Sequence, residues 1–160
     1  MLTLGIDPGT AATGFGLVEA RGSKLVFIDH GVIKTSSKET PHNRLRLIYL
    51  EMIKLIKNYK PTHLAIERLF FGKNTQTAIS VGQARGITLL AAAELRVPVA
   101  EYTPLEVKVA ATGYGRADKK QVQHMVKTLL GLSEIPKPDD AADALAIAIC
   151  HHHSHKIKSL

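Results

Sequence analysis

The sequence is poor in cysteine and aromatic residues and has no long apolar run. Its 160 residues include one cysteine, Cys150, and no tryptophan, and aromatic residues make up 5%. A lone cysteine cannot form an internal disulfide bond, which favours a reducing, cytoplasmic setting. A membrane-spanning helix needs about 20 apolar residues, whereas apolar stretches such as 144–150 are much shorter. Residues 1–7 lack a basic leader before an apolar run, so we expect no signal peptide. Membrane, secreted and collagen-like classes are therefore excluded.

The composition is that of a globular chain with a basic surface. Hydrophobic residues make up 45% and charged residues 22%, which is typical of a folded protein. The length suits one compact domain, and without repeats or linkers we predict a single domain over 1–160, with about 154–160 as a short tail. Lys and Arg number 21 against 14 Asp and Glu, which gives a net charge of +7. A surplus of positive charge favours a polyanionic partner.

The order of apolar patterns predicts an α/β fold. Short apolar or alternating segments predict strands at 2–6, 13–19, 24–34, 63–67 and 98–102. Apolar residues at three- and four-residue spacing predict a helix from Asn43 that Pro61 ends. Further helices are predicted at 75–96, 104–111, 119–130 and 139–153. Three successive strands followed by alternating helices and strands indicate a mixed sheet flanked by helices. This order is compatible with the ribonuclease H-like architecture.

Four carboxylates occupy positions where they should cost free energy. Asp7 and Glu67 each end a predicted core strand, where an unpaired carboxylate is expensive to desolvate. Asp140 and Asp143 are three residues apart near the start of the last helix, so they share one face. The helix dipole favours them by only roughly 0.3–1 kcal/mol. Taken singly, each acid has an ordinary explanation as a turn residue, an ion-pair partner or a helix N-cap.

Together, the four acids predict a metal site. They would repel one another unless a cation neutralised them, and carboxylates are natural ligands of Mg²⁺ or Mn²⁺. If two divalent ions cancel the four negative charges, the rest of the chain carries +11 instead of +7. Such a surface should bind a phosphodiester backbone through counterion release. The chemistry this favours is two-metal phosphodiester hydrolysis, with the ions about 3.5–4 Å apart.

Several motifs, in order over residues 4 to about 153, resemble the RuvC family of Holliday junction resolvases. They are GIDPGT at 5–10, TGFG at 13–16, AIE at 65–67, GQARG at 82–86, QVQHMV at 121–126 and DAADALAIA at 140–148. The first block alone is a weak signal, because actin-like ATPases open similarly. The other blocks, in this order and spacing, make the resemblance strong.

The resemblance implies roles for individual residues. Asp7, Glu67, Asp140 and Asp143 match the four acidic metal-site residues of the family, and in some members a histidine replaces one acid of the last pair. Lys108 and Lys119 match basic positions near the scissile strand, with Lys119 counted among the catalytic residues. Phe70 matches an aromatic residue that contacts unpaired bases. The residues expected to bind DNA are Phe70, Phe71, Lys73, Lys108, Arg116, Lys119 and Lys120.

The resemblance also implies an activity and partners. Members of the family are homodimers that bind four-way DNA junctions and nick two opposed strands, with two Mg²⁺ ions per active site for which Mn²⁺ substitutes. They act with the branch-migration proteins RuvA and RuvB in homologous recombination and DNA repair. A two-fold symmetric dimer suits this task, because a four-way junction is approximately two-fold symmetric and paired cuts need two matching sites.

Three other functions remain open at this point. The first is a YqgF-type nuclease acting on ribosomal RNA precursors, which the blocks at 83–86 and 121–126 disfavour. The second is an actin-like ATPase or sugar kinase, which needs two such domains around a nucleotide. The third is a junction-binding module without catalysis, for which four acids beside the DNA surface would weaken binding unless a metal were present.

Secondary features have competing interpretations. Ala78, Gly82 and Gly86 recur every four residues, which favours close packing on the sheet or a seam between two subunits. The run of three histidines from His151 to His153 is interpreted mainly as a solvated helix end. The alternative is that His151, on the side of the helix that carries Asp143, supports the acidic site. Cys150 is interpreted as a small core residue.

Overall fold

The computed structural model describes residues 1–69 and 75–158. Within these ranges the strands are β1 (Leu2–Asp7), β2 (Ala12–Arg21), β3 (Lys24–Lys34), β4 (His63–Glu67) and β5 (Val99–Tyr102). The helices are α1 (Pro41–Tyr59), α2 (Thr75–Glu94), α3 (Pro104–Thr112), α4 (Lys119–Leu130) and α5 (Asp139–Lys158). None of the helices in the described part of the chain combines the length and apolarity needed to cross a membrane.

The strands form one mixed sheet in the order β3-β2-β1-β4-β5. β1 pairs antiparallel with β2, and β2 pairs antiparallel with β3. β4 pairs parallel with β1 on one side and with β5 on the other. Parallel pairing needs a crossover, which α1 supplies between β3 and β4 and α2 supplies between β4 and β5. The predicted mixed sheet flanked by helices is confirmed.

Two apolar clusters cover the two faces of the sheet. One cluster joins Leu4 and Ile6 of β1 to Met52 of α1 and Ala91 of α2. The other joins strand residues such as Val18 to the apolar side of α5 and to α4. Successive side chains of a strand point to opposite faces, which is why β1 supplies alternate residues to the first cluster and leaves Gly5 against α5.

Helix α5 lies directly on the sheet because β1 presents a glycine to it. A Cβ atom on Gly5 would be 2.0 Å from the carbonyl oxygen of Ala144, so no larger residue fits without moving the helix. Residues 144–150 of α5 are buried almost completely. The small side chains of this segment let two backbones approach, and the approach carries the acidic start of α5 to the edge of the sheet.

Helix α5 is longer than predicted. The sequence placed its end at His153, but it continues to Lys158. His151 and His152 are only 4% and 0% exposed, so the interpretation of the histidine run as a solvated helix end is wrong for these two residues. His152 Nε2 lies 3.0 Å from the carbonyl oxygen of Val18, and this contact ties the helix to β2.

Gly86 of α2 does not pack closely on the sheet as one interpretation expected, whereas a Cβ atom on Gly82 would lie 3.6 Å from Cδ1 of Leu69. Gly86 is exposed, and a Cβ atom there would meet nothing within 4 Å. Among the residues of α2 whose burial the structure describes, Ala84, Thr88, Ala91 and Ala92 are fully buried. Cys150 is buried in the core, as expected, and burial raises the pKa of its thiol to about 11.

Candidate active site

The parallel pairing of β1 and β4 places two of the four acids together. Ile6 pairs with Ile66, so Asp7 and Glu67 follow at the same edge of the sheet. In both strands the buried run of residues stops at the carboxylate, and the strand ends there. Both acids are partly buried and line one cleft of about 230 Å³. The two acids that the sequence placed at the ends of core strands therefore lie at one location in the structure.

Helix α5 brings the other two acids to the same edge. Asp143 lines the cleft with Asp7 and Glu67. Asp140, one turn earlier, does not line it, but its charge is near enough to raise the pKa of Asp7. The structure thus gathers three of the predicted acids around one cavity and leaves Asp140 at its margin.

Burial and mutual repulsion make this group of acids unfavourable when all are ionised. Burial, followed by the charges of Asp143, Asp140 and Glu67, raises the pKa of Asp7 to about 7. Burial, followed by the charge of Asp143, raises the pKa of Glu67. Burial also raises the pKa of Asp143, although Lys119 opposes that shift. A carboxylate whose pKa is raised near neutral pH is a candidate functional group.

Lys119 is a cation that faces these acids and contacts one of them. Its Nζ atom is 3.1 Å from Asp143 Oδ2 and 3.3 Å from Asp139 Oδ2. It is the first residue of α4, after the N-cap Asp118, which forms a reciprocal capping box with Gln121. A cation at a helix N-terminus is disfavoured by the dipole. The two carboxylates and the strong cap account for a lysine at this position.

The walls of the cleft are partly apolar. Val107, Val122 and Ile147 line it together with Pro104 and Ala146. Lys108 of α3 lines it as well, and its charge opposes the rise in the pKa of Glu67. Apolar walls lower the local dielectric, so charges inside interact more strongly than in water.

The donor chemistry of the cleft suits a divalent cation. Carboxylate oxygens are the ligands that Mg²⁺ and Mn²⁺ take in proteins. Burial first, and the neighbouring acids second, raise the pKa values of Asp7 and Glu67, so a bound cation would relieve an unfavourable arrangement of charge. In the described ranges no three His, Cys, Asp or Glu side chains already converge as a set of ligands. The ammonium of Lys119 lies beside Asp143 instead. The residues fit the metal by charge and by type of donor.

The other predicted DNA contacts are distributed differently. Arg116, in the loop before α4, and Lys120, its second residue, are exposed and do not line the cleft. Phe70, Phe71 and Lys73 lie outside the described residues.

Two residues near the site were not predicted from the sequence. Asp139 is the first residue of α5 and contacts Lys119. Gln123 of α4 donates a hydrogen bond from Nε2 to Asp139 Oδ1 at 3.0 Å. The spacing of Lys119 and Gln123 on one face of a helix was visible in the sequence, but the packing of α4 against α5 that brings Asp139 to that face was not.

His151 packs behind the acidic cleft, between two strands. Its Nδ1 is 2.8 Å from the hydroxyl oxygen of Tyr102, and its ring centroid is 4.8 Å from that of His63. His63 begins β4 whereas Glu67 ends it. Tyr102 pairs with Glu67 at the end of β5, so His151 contacts the strand of Glu67 near its start and the strand of Tyr102 at its end. His151 does not line the acidic cleft, and its support of the site from behind stays a prediction.

Comparison with known sequences identifies close relatives. The sequence profile of the family "Crossover junction endodeoxyribonuclease RuvC" matches residues 3–151. A protein of that name from Desulfitobacterium hafniense is 60% identical over 154 residues, covering 96% of this chain and 93% of the relative. Another, from Pelotomaculum thermopropionicum, is 55% identical over 155 residues, covering 97% and 94%.

Comparison with solved structures agrees with the comparison of sequences. RuvC of Thermus thermophilus in complex with a Holliday junction substrate superposes with a TM-score of 0.94 at 38% identity, covering 99% of this chain and 97% of the other. The yeast mitochondrial Holliday junction resolvase Ydc2 superposes with a TM-score of 0.68 at 15% identity, covering 99% and 84%. The second likeness concerns the fold alone.

Proposed function

This chain belongs to the RuvC family of crossover junction endodeoxyribonucleases, and on that basis we propose that it resolves four-way DNA junctions by paired nicks through two-metal phosphodiester hydrolysis. It is an endonuclease that hydrolyses phosphodiester bonds. The observation that carries the proposed mechanism is the cleft that Asp7, Glu67 and Asp143 line together with two lysine side chains.

The acids of the cleft would hold the metal. Asp7, Glu67 and Asp143 supply carboxylates on three different elements, and Asp140 adds negative charge at the margin. Two Mg²⁺ ions held by these acids, for which Mn²⁺ would substitute, would supply Lewis-acid chemistry for the attacking water and for the leaving 3′ oxygen. Burial of these carboxylates in a cleft with apolar walls strengthens their attraction for a dication.

The lysines would act on the phosphate. Lys108 and Lys119 line the cleft with the acids, so both ammonium groups are near the position a scissile phosphate would take. A cation at that position stabilises the charge that develops on the phosphoryl oxygens. We assign Lys119 the closer role, because it already contacts Asp143.

The remaining basic and aromatic residues would bind the junction outside the cleft. Arg116 precedes α4 and Lys120 lies in its first turn, and both are exposed. There they would pair with phosphates and give salt-dependent affinity. Phe70, Phe71 and Lys73 follow Glu67 closely in sequence, and stacking of a base on an aromatic ring contributes about 1–3 kcal/mol.

The biological setting follows from the substrate. We propose a homodimer, because two cuts related by two-fold symmetry need two sites. The candidate seam lies on α2, at the half-buried Gly82 and the exposed Gly86. RuvA and RuvB are the proposed partners, homologous recombination and DNA repair the proposed processes, and the cytoplasm the proposed location.

The proposal is tested with a synthetic four-way junction that has a mobile core and carries a label on each strand in turn. We expect paired nicks on opposed strands in Mg²⁺, none in chelator, and none on linear duplex. Asp7→Asn should bind the junction without cutting it. Binding without cleavage by the unaltered protein in both Mg²⁺ and Mn²⁺ would contradict the proposal and favour a non-catalytic junction module. Cleavage confined to RNA substrates would contradict it in favour of RNA processing.

A further inference from the structure

Lys119 is shared by two carboxylates that differ in their position relative to the cleft. Asp139 and Asp143 are one helical turn apart on α5, and Lys119 Nζ lies within 3.3 Å of an oxygen of each. The side chain of Asp143 is 33% exposed and lines the cleft, whereas that of Asp139 is 67% exposed and does not. The same ammonium therefore has one partner inside the candidate metal site and one outside it.

Asp139 is itself held in place by α4. Gln123 donates from Nε2 to Asp139 Oδ1, while Asp139 Oδ2 faces Lys119. Lys119 and Gln123 are four residues apart on α4, so they lie on one face of that helix. Gln123 is 9% exposed, so its amide belongs to the packed part of the α4–α5 contact. Helix α4 thus supplies both Lys119 and Gln123, the side chain that orients Asp139.

The two partners would respond differently to a divalent cation. Asp143 is one of the proposed metal ligands, and a dication on its carboxylate would repel the neighbouring ammonium of Lys119. Asp139 lies outside the lining of the cleft and keeps its hydrogen bond from Gln123. An exposed ion pair such as that of Asp139 with Lys119 adds little to folding stability. Its effect is instead on the position of the Lys119 side chain.

We propose that Asp139, oriented by Gln123, is a positioning residue that retains Lys119 at the mouth of the cleft when a divalent cation takes over Asp143. The lysine then stays beside the phosphate instead of moving into solvent. This inference rests on the proposed function for the metal and the phosphate, but the retention of Lys119 is measurable without cleavage.

The charge states of the pair agree with this arrangement. Burial acts to lower the pKa of Lys119, but its contacts with Asp143 and Asp139 outweigh burial and raise it. The hydrogen bond from Gln123, followed by the contact with Lys119, lowers the pKa of Asp139. Both partners are thus charged at neutral pH.

The first experiment follows the ammonium of Lys119 by NMR in full-length protein with ¹⁵N-labelled lysine side chains, and Lys119→Arg identifies its signal. In the unaltered protein we expect this signal to stay distinct from those of solvated lysines both in chelator and in saturating Mg²⁺. In Asp139→Asn and in Gln123→Met we expect it to remain distinct in chelator and to merge with the solvated lysines on addition of Mg²⁺. Gln123→Met removes the hydrogen bond without changing the net charge, which separates positioning from a general loss of negative charge.

The second experiment measures junction cleavage by the same variants. We expect kcat to fall about tenfold in Asp139→Asn and Gln123→Met with KM changed less than about twofold, and Asp139→Glu to recover part of the loss. Glu134→Gln is the charge-matched control, because Glu134 is exposed and lines a separate depression beside Phe27 and His30. It should leave kcat unchanged.

The outcomes separate the two proposals. A Lys119 signal that stays distinct in Mg²⁺ in both Asp139→Asn and Gln123→Met would overturn the positioning role, whatever the activity. A kcat that falls equally in Glu134→Gln would also overturn it, because the effect would then be one of overall charge. If the unaltered protein cuts no junction but its Lys119 signal responds as expected, the proposed function fails and the positioning of Lys119 stands.

Discussion

Gly14 of β2 and Asp140 of α5 are in backbone contact: a Cβ atom on Gly14 would lie 2.0 Å from the carbonyl oxygen of Asp140. Gly14 pairs with Asp7 across the β1–β2 ladder. The first turn of α5 is therefore seated on the strand next to the one that carries Asp7. The absence of a side chain at one position of β2 sets the distance between Asp7 and Asp140, which are 133 residues apart in sequence.

Gly14→Ala should destabilise the protein and impair the site together. The added methyl group cannot be accommodated without moving α5, and overpacking of this kind costs about 1–3 kcal/mol. We expect Tm to fall by about 5–10 °C and cleavage of the junction to fall about 10²-fold, because small displacements of catalytic groups are costly. Circular dichroism would verify the fold at the assay temperature. Activity and Tm equal to those of the unaltered protein would show that the contact does not position α5.

Asp7→Asn should abolish cleavage and leave junction binding intact. The substitution keeps the size of the side chain but removes a buried metal-binding charge, and metal stabilisation of several kcal/mol corresponds to a loss of about 10³-fold or more. Gel-shift affinity and single-turnover cleavage on the same junction separate the two effects. Cleavage within about tenfold of the unaltered rate, in protein freed of contaminating nuclease, would rule out the assignment of Asp7.

The metal-free protein should lose stability, relative to Asp7→Asn, as pH rises from about 4 to about 7. The pKa of Asp7 is raised to about 7 from an ordinary value of 3.8. The folded state therefore holds a proton that the unfolded chain has released, and unfolding becomes easier as pH rises through this window. Asparagine does not titrate, so the two proteins should have similar stability near pH 4.5 and Asp7→Asn should be the more stable near pH 7.5.

Denaturant unfolding in chelator at these two pH values checks that expectation. Mg²⁺ should restore the stability of the unaltered protein near pH 7.5 and have little effect on Asp7→Asn, since a ligand that binds only the folded state stabilises it. A stability difference that does not change with pH would contradict a raised pKa at Asp7.

Lys119→Ala should lower the rate of cleavage far more than Lys120→Ala. Lys119 lines the cleft and contacts Asp143 there, whereas its neighbour Lys120 is exposed and does not line it. Removing a cation that faces developing charge costs about 10²–10³ in kcat, while loss of a peripheral phosphate contact weakens binding and reduces its salt dependence. Single-turnover rates at saturating protein, with affinities at two salt concentrations, distinguish the two. Equal rate losses in both variants would place Lys119 outside the reacting centre.

Gly86→Ala should weaken the proposed dimer without harming the fold of each subunit. Nothing lies within 4 Å of a Cβ atom at Gly86 in the single chain, and alanine is favoured over glycine in a helix by about 0.8–1.0 kcal/mol. If small residues let two subunits approach closely at α2, the added methyl group would hold them further apart. Sedimentation at several protein concentrations should show dissociation at higher concentration than for the unaltered protein. An unchanged or tighter dimer would exclude Gly86 from the seam.

Much of the fold could be predicted from the sequence. The bounds of β3, β4 and α4 agree with the apolar patterns, because alternation and helical spacing are local properties of the chain. The position of Asp7 and Glu67 at the ends of buried strands is also a local pattern, but their meeting depends on the parallel pairing of β1 with β4, which the pattern does not determine. The motif blocks identified the family, which the relatives of the chain confirm.

Only the tertiary structure decided which side chains pair across elements. The contact of Lys119 with Asp139 and Asp143 depends on how α4 packs against α5, and the burial of His151 depends on where α5 crosses the sheet. Such contacts join residues distant in sequence, and a small rotation of a helix about its axis would replace them with others. Periodicity tells which face of a helix is buried but not which residue of another element it meets, so these contacts followed from packing alone.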